Sequence, residues 1–150
     1  MELKRFEFPL EVVWTGGETE REGELIVDGK PKITVATPPE FRGPEGVISP
    51  EDLFVASAAV CYMSTFISMS RKVRANWTSY RNHAVGILQQ QESKDYLFTE
   101  LQVDMYITVE SEQDLRRVER ALELTKKHCL VTNSMKTEVT IMPHIRVEGS

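Results

Sequence analysis

The feature that most constrains this chain is a stretch of eighteen consecutive residues without a charged side chain, Leu53 to Ser70. A stretch of about eighteen apolar residues reaches the length of a membrane-spanning helix. Five of these residues are serine or threonine, however, and charged pairs flank both ends. No second stretch of this kind occurs in the sequence. We therefore predict a core helix that is covered by protein, and we expect no membrane partner.

The residues from Ser49 to Asp52 give this helix a clear start. A hydroxyl at the capping position, a proline at the first helical residue and acids in the first turn all favour a helix that begins at Pro50. The helix is predicted to run to about Val73. A one-sided contact would leave Phe, Val and Met side chains exposed, so nearly the whole helix is expected to be inaccessible in the intact assembly.

Before the helix, the alternation of apolar and polar residues predicts three strands. The first is a half-buried strand whose apolar face consists of Phe6, Phe8, Leu10, Val12 and Trp14. Two short strands follow, and Asp28-Gly29 between them predicts a hairpin. The segment from Thr37 to Gly46 contains three prolines and two glycines, which predicts an irregular loop.

After the helix, two longer strands, a second helix and a last strand are predicted. The two strands cover 80–91 and 97–109, and the second has a shared apolar face: Leu97, Leu101, Val103, Met105, Ile107 and Val109. A capping pattern at Ser111 begins an amphipathic helix that ends near His128. A short turn or helix through Met135 leads to the last strand. Because this strand carries Pro143, it is expected at a sheet edge.

The predicted element order is βββ-α-ββ-α-β, which indicates an α+β fold with mainly antiparallel strands around a long buried helix. A chain of 150 residues without repeats or linkers predicts one domain over 1–150. The net charge of −5 gives phosphate groups no obvious counter-charge, so no nucleic-acid partner is expected. Two cysteines and the absence of a secretory signal pattern predict a cytoplasmic protein.

The two cysteines, Cys61 and Cys129, are the first candidates for chemistry. A free buried cysteine is commonly just a small apolar residue. A reactive cysteine must be ionised, yet apolar burial raises the pKa of a thiol. Cys61 lies about three turns into its helix, beyond the reach of the helix dipole, so a nearby cation such as a guanidinium is expected to offset burial. His83, His128 and His144 have no spacing with the cysteines that would indicate zinc.

Three motifs make the sequence resemble a known family. They are Pro38-Pro39-Glu40-Phe41, Ser49-Pro50-Glu51-Asp52-Leu53-Phe54 with Cys61 ten residues after Glu51, and His128-Cys129-Leu130-Val131-Thr132-Asn133-Ser134-Met135. With them the chain resembles the osmotically inducible protein C and organic hydroperoxide resistance (OsmC/Ohr) family. The resemblance implies a thiol-dependent peroxidase that reduces organic hydroperoxides. It also implies an intertwined homodimer with two active sites at the subunit interface. We expect neither a cofactor nor a metal.

The resemblance further implies a role for each site residue. Cys61 would be the peroxidatic thiol, which becomes a sulfenic acid, and Cys129 would be the resolving thiol, which then forms a disulfide with it. Glu51 would orient an activating arginine, for which Arg21 and Arg42 are both candidates. A dithiol reductant of the lipoyl or thioredoxin type would restore the thiols.

Two alternatives stay open. Glu51 could simply stabilise the first helical turn. The protein could be a noncatalytic small-ligand binding or stress-associated structural dimer in which both cysteines are merely buried. If Glu51 does act on Cys61, the two are about 15 Å apart along one helix, too far for a single arginine bridge. Glu51 of one subunit is then expected to approach Cys61 of the other.

Overall fold

The computed structural model describes residues 2–149 and has the α+β fold class that the sequence predicts. Contacts within the chain divide it into two compact units, Met1–Leu53 and Phe54–Ser150. Each unit contains its own three-stranded sheet. The single domain over 1–150 stays a prediction.

The sheet of the first unit has three antiparallel strands in the order β1-β2-β3. These are β1 (Glu11–Gly16), β2 (Glu22–Ile26) and β3 (Ile33–Ala36). The predicted hairpin joins β2 and β3, and Gly29 in its turn has a φ of 76°, which glycine adopts at little cost. A short 3-10 helix, Pro39–Phe41, lies in the proline-rich loop.

The first strand is shorter and less buried than the alternation predicts. It begins at Glu11, and Phe6 and Phe8, which precede it, are 74% and 90% exposed. Val12 and Trp14 within the strand are also mostly exposed. Alternation identifies the side chains that share a face, but burial needs a second layer over that face. In one chain, the described residues leave this face open.

Helix α1, Pro50–Lys72, begins where its cap predicts. The backbone N–H of Asp52 donates to the Ser49 hydroxyl at 3.1 Å, and the N–H of Ser49 donates to Asp52 Oδ2 at 3.0 Å. These reciprocal bonds satisfy donors that a helix start otherwise leaves without partners.

Within one chain, α1 buries one stripe of its surface. The stripe has a spacing of four residues: Ala58, Tyr62, Phe66 and Ser70. Val60 and Met63 on other faces are 58% and 40% exposed. By length and composition, α1 is the one helix among the described residues that could cross a membrane. Coverage of its remaining faces in an assembly stays a prediction.

The sheet of the second unit has the order β4-β5-β6. Its strands are β4 (Ser79–Gln90), β5 (Tyr96–Val109) and β6 (Glu138–Val147). β4 pairs with β5 antiparallel, whereas β6 pairs with β5 parallel, because helices α2 (Glu112–His128) and α3 (Leu130–Asn133) connect them. β6 carries Pro143 and lies at the edge of this sheet, as predicted.

The core of the second unit forms where β5 meets the two longer helices. One face of β5 is fully buried: Leu101, Val103, Met105, Ile107 and Val109. Tyr62 and Phe66 of α1 belong to the same cluster, together with Val118 and Ala121 of α2. Cys129 is also part of this cluster. The core therefore places the two predicted reactive thiols on elements that pack together.

Leu97 does not share the buried face of β5, contrary to the prediction. Pairing with β4 skips Thr99, so Thr99 is the extra residue of a β-bulge. Beyond a bulge, the alternation of faces reverses. Leu97 is consequently 58% exposed, and Phe98 instead stacks on Phe54 of α1 with the ring centroids 4.6 Å apart.

Candidate active site

Cys61 and Cys129 meet in the second unit although they are far apart in sequence. Cys61 lies on α1 beside the buried stripe and is half-buried, whereas Cys129 lies between α2 and α3 and is fully buried. Both are free thiols. The two thiols lie near enough for each to shift the pKa of the other before any disulfide forms.

The pKa of Cys61 lies below that of an ordinary thiol. Burial acts to raise this pKa, but hydrogen bonds to the thiolate lower it by more. The donors are the Cys129 thiol, the backbone N–H groups of Val131 and Leu130, and the Thr65 hydroxyl, whose Oγ1 lies 3.7 Å from Cys61 Sγ. Cys61 is therefore the thiol of this pair that ionises first.

The pKa of Cys129 is shifted in the opposite direction. Burial raises it most, and the hydrogen bond to Cys61 and the negative charge there raise it further. The hydroxyl and the backbone N–H of Thr132 act to lower it but do not outweigh these effects. Cys129 therefore stays protonated while Cys61 carries the charge.

A break in the helical backbone aims the N–H groups at Cys61. Cys129 has an extended conformation, with φ −65° and ψ 111°, so α2 ends before it and α3 starts at Leu130. The first N–H groups of a helix have no partner within the helix, which leaves those of Leu130 and Val131 free to reach the sulfur. The Asn133 side chain donates to the Lys127 carbonyl at 2.9 Å and fastens α3 to the end of α2.

Sequence reasoning missed three polar side chains near the thiols. Thr65 follows Cys61 by four residues and Thr132 follows Cys129 by three, so helical spacing could have identified both. Tyr62 has no such signal, because adjacent residues on a helix point about 100° apart. The Thr132 side chain acts to lower the pKa of Tyr62. Burial, and then the nearby charges of the two thiols, raise the pKa of Tyr62.

The other three predicted site residues belong to the first unit. Glu51 lies in the first turn of α1, and its Oε1 atom is buried without a hydrogen-bond partner among the described residues. Arg21 is exposed just before β2, and Arg42 is exposed at the end of the 3-10 helix. No ion pair joins Glu51 to either arginine within residues 2–149. The roles of these three residues stay predictions.

Arg21 differs from Arg42 in its surroundings. It lines a cavity of about 440 Å³ in the first unit. Most of the cavity is apolar, with a lining that includes Trp14, Leu25, Pro50 and Leu53. Because Pro50 and Leu53 flank Glu51 on α1, Arg21 shares a cavity with the helical turn that bears Glu51. Arg42 is not among the lining residues.

One of the three histidines, His144, contacts side chains of the neighbouring strand. His144 on β6 pairs with Asp104 on β5 at 2.8 Å and stacks on Tyr106, with the ring centroids 4.7 Å apart. Within residues 2–149, no group of three His, Cys, Asp or Glu side chains is placed to hold a metal ion.

Comparisons with known proteins agree with this architecture. A family model described as OsmC-like protein matches residues 43–143. An OsmC-like protein of unknown function from Vibrio cholerae has a TM-score of 0.81 at 26% identity, over 93% of this chain and 100% of that one. An organic hydroperoxide resistance protein OsmC from Legionella pneumophila has a TM-score of 0.72 at 19% identity, over 97% and 100% of the two chains.

The organic hydroperoxide resistance protein OhrB of Bacillus subtilis has a TM-score of 0.60 at 15% identity, over 93% of this chain and 98% of that one. At such identities the likeness to the Legionella and Bacillus proteins is a likeness of fold. A search of curated proteins finds no significant match to the sequence.

Proposed function

The chain belongs to the OsmC-like protein family, and we propose that it is a thiol-dependent peroxidase that reduces organic hydroperoxides to alcohols. The observation that carries the proposal is the opposite pKa shifts of Cys61 and Cys129. A nucleophilic thiol needs a lowered pKa, and its resolving partner has to remain a thiol until the first step is complete. Proteins of the same fold that are named organic hydroperoxide resistance proteins support the choice of substrate.

The proposed reaction has two chemical steps. The Cys61 thiolate attacks the terminal oxygen of the hydroperoxide, so an S–O bond forms, the O–O bond breaks and the alkoxide leaves as the alcohol after taking up a proton. Cys61 is thereby oxidised to a sulfenic acid and the hydroperoxide is reduced. The Cys129 sulfur then attacks the Cys61 sulfur, an S–S bond replaces the S–O bond, and water leaves. A dithiol reductant, of the lipoyl or thioredoxin type, restores both thiols.

Of Arg21 and Arg42, we favour Arg21 as the activating arginine of the proposed first step. Glu51 has a buried carboxylate oxygen without a hydrogen-bond partner within residues 2–149, and such an atom is costly unless it accepts a hydrogen bond. A guanidinium can satisfy it and still direct other N–H groups toward a peroxide oxygen. Arg21 shares its cavity with the residues that flank Glu51, whereas Arg42 does not. The apolar lining of this cavity suits the organic part of a hydroperoxide.

A second copy of this chain is the proposed partner. Apolar side chains are exposed in both units, among them Phe8 and Trp14 in the first and Val60 and Met63 in the second. Large apolar side chains that are exposed together are typical of a surface that binds another protein. In a homodimer, Glu51 of one subunit would approach Cys61 of the other. Static light scattering at micromolar concentration should give the mass of a dimer, and an active monomer would refute this arrangement.

The proposed location is the cytoplasm. Both cysteines are free thiols. The proposed cycle oxidises them to a disulfide, so it needs a compartment in which a dithiol reductant can reduce that disulfide again.

The test is consumption of cumene hydroperoxide in the presence of a dithiol, with Cys61→Ser as the matched control. We expect the wild type to consume the peroxide catalytically and Cys61→Ser to consume none. Mass spectrometry of protein treated with peroxide alone should find one Cys61–Cys129 disulfide. A noncatalytic binding or structural dimer would leave both thiols free and the peroxide unconsumed.

A further inference from the structure

The face of the second sheet that points away from the core carries a cavity. Its volume is about 690 Å³, and sites for small molecules typically measure about 300–1,000 Å³. Successive side chains along a strand point to opposite faces, so Tyr106 and Thr108 point into the cavity while their neighbours on β5 point into the core. The polar side chains of the lining come from all three strands: Ser79, Arg81, Tyr106, Thr108, His144 and Arg146.

The strand register brings these side chains together. It arranges them in two adjacent rows across β4, β5 and β6: Arg81, Tyr106 and His144, then Ser79, Thr108 and Arg146. Neighbouring strands lie about 4.8 Å apart, so the two outer strands are separated by about 10 Å. Arginine side chains are long enough to reach from each outer strand toward the middle one. Arg81 on β4 and Arg146 on β6 can therefore both bind one group held over β5.

Stacking orients the first of these two arginines. The Arg81 guanidinium lies over the Tyr106 ring, with its central carbon 4.3 Å from the ring centroid. The His144 ring also stacks on Tyr106, with the ring centroids 4.7 Å apart. A stacked guanidinium keeps the N–H groups at its edge free, because the contact uses only its face. Arg81 is thus oriented before a ligand binds, which lowers the entropy that binding costs.

The charge of this cavity is positive and is not neutralised by the chain itself. No aspartate or glutamate lines the cavity, and neither Arg81 nor Arg146 forms an ion pair within residues 2–149. The aspartate on the same face, Asp104, is already paired with His144 at 2.8 Å. Two glutamates follow the ends of β5 and β6 and lie outside the lining: Glu110 and Glu148. Two arginines in one cavity of a chain with net charge −5 favour an anionic ligand.

The donors of the cavity suit a phosphate group better than a carboxylate. A phosphate monoester carries a charge of about −1.5 to −2 at neutral pH and has three acceptor oxygens. Two guanidinium groups match that charge, and the hydroxyls of Ser79 and Thr108 supply donors for further oxygens. A free phosphate ion would leave most of the cavity unfilled. The size of the cavity therefore favours a phosphate that is attached to an organic group.

We propose that this cavity binds a small organic phosphate monoester, with its phosphate group held between Arg81 and Arg146. The two guanidinium groups donate charge-assisted hydrogen bonds to the phosphate oxygens, and the Tyr106 ring keeps Arg81 in position. Neither cysteine lines the cavity, and neither does any residue proposed for the peroxidase reaction. The binding site is therefore independent of that reaction.

Isothermal titration calorimetry of the intact protein with phenyl phosphate tests the proposal. We expect saturable binding to the wild type, with one site per chain. Inorganic phosphate should bind about tenfold more weakly or worse, because it lacks the apolar group that fills the cavity. Phenol should not bind, because it lacks the charge. Equal affinities for phenyl phosphate and inorganic phosphate would overturn the assignment of an ester, and binding of phenol as tight as that of phenyl phosphate would overturn the anion site.

The two arginines are tested by single substitutions. Both side chains are exposed, so the fold should not depend on them. Arg81→Gln and Arg146→Gln should each weaken phenyl phosphate binding about tenfold, the effect of losing a hydrogen bond between charged groups. Tyr106→Leu keeps both charges but removes the stack, so it should weaken binding less, by about threefold.

Arg116→Gln is the matched control. Arg116 is an exposed arginine of α2 outside the cavity, so this variant has the same change in net charge and should bind phenyl phosphate like the wild type. The proposal would be overturned by the absence of saturable binding at millimolar phenyl phosphate. Wild-type affinity in both Arg81→Gln and Arg146→Gln would overturn it too, as would an equal loss in Arg116→Gln.

Discussion

Replacing Cys129 with alanine tests whether its thiol sets the reactivity of Cys61. The Cys129 S–H is the leading hydrogen-bond donor to the Cys61 thiolate. In Cys129→Ala that donor is lost, while the N–H groups of Val131 and Leu130 and the Thr65 hydroxyl remain. We therefore expect the pKa of Cys61 to rise toward the ordinary value, so that less thiolate is present at neutral pH.

The size of the effect follows from the kind of bond removed. A hydrogen bond to a charged group contributes about 1.5–3 kcal/mol. The low end applies here, because a thiol is a weak donor and Cys61 is half-buried, so solvent screens part of the interaction. A difference of about 1.4 kcal/mol is a factor of about ten in an equilibrium constant. The rate at which Cys61 is alkylated at neutral pH should thus fall about tenfold.

The assay is alkylation by iodoacetamide over a range of pH, with the modified peptide identified by mass spectrometry. Because the pKa of Cys61 is lowered in the folded protein, its alkylation rate should level off at a lower pH in the wild type than in Cys129→Ala. Cys129→Ser is the matched control, since a serine hydroxyl still donates, and it should stay close to the wild type. Identical pH profiles for all three proteins would refute the assignment of the donor.

Other variants test the remaining parts of the site and the fold. Cys61→Ser should abolish peroxide consumption in a dithiol-coupled assay, because an alcohol is too weak an acid to supply the nucleophile. Arg21→Ala should slow sulfenic acid formation in stopped-flow measurements while Arg42→Ala behaves like the wild type, and the reverse result would assign the activating role to Arg42. Gly86→Ala should lower the free energy of unfolding, measured in urea, by about 1–3 kcal/mol. The added methyl would lie 2.5 Å from Val55 Cγ2, so an unchanged urea midpoint would contradict this close approach of α1 to β4.

Local signals made much of the fold predictable. The caps at Ser49 and Ser111 act through bonds to residues three positions away, so their effect is fixed by the sequence around them. Both helices begin where these caps predict. The hairpin at Gly29 and the edge position of Pro143 also follow from the conformational needs of single residues.

The errors arose where the outcome depends on a distant partner. The bulge at Thr99 exists only in the pairing of β5 with β4, so nothing in the alternation around Leu97 indicated that the faces reverse. The exposure of Phe8 and Trp14 likewise depends on whether another layer covers them.

The site shows the same division between local and distant effects. The motifs identified Cys61 and Cys129. The sequence argument, however, expected a cation to counter the rise that burial causes in the pKa of Cys61. In one chain, the lowered pKa of Cys61 comes from hydrogen bonds donated by Cys129, Thr65 and the start of α3. No helical or strand period connects Cys61 and Thr65 on α1 with Cys129 and the start of α3, because their meeting depends on how α1 and α2 pack in the core.

The opposite shifts of the two thiols also give the proposed reaction its order. Burial raises the pKa of Cys129, and the charge on Cys61 raises it further, so Cys129 is protected from direct oxidation while Cys61 is a thiolate. Oxidation of Cys61 to a neutral sulfenic acid removes that charge and the bond that Cys129 donates to it. The hydroxyl and N–H of Thr132 still favour the Cys129 thiolate. Cys129 therefore ionises more readily after the first step than before it, and the product of that step prepares the nucleophile for the second.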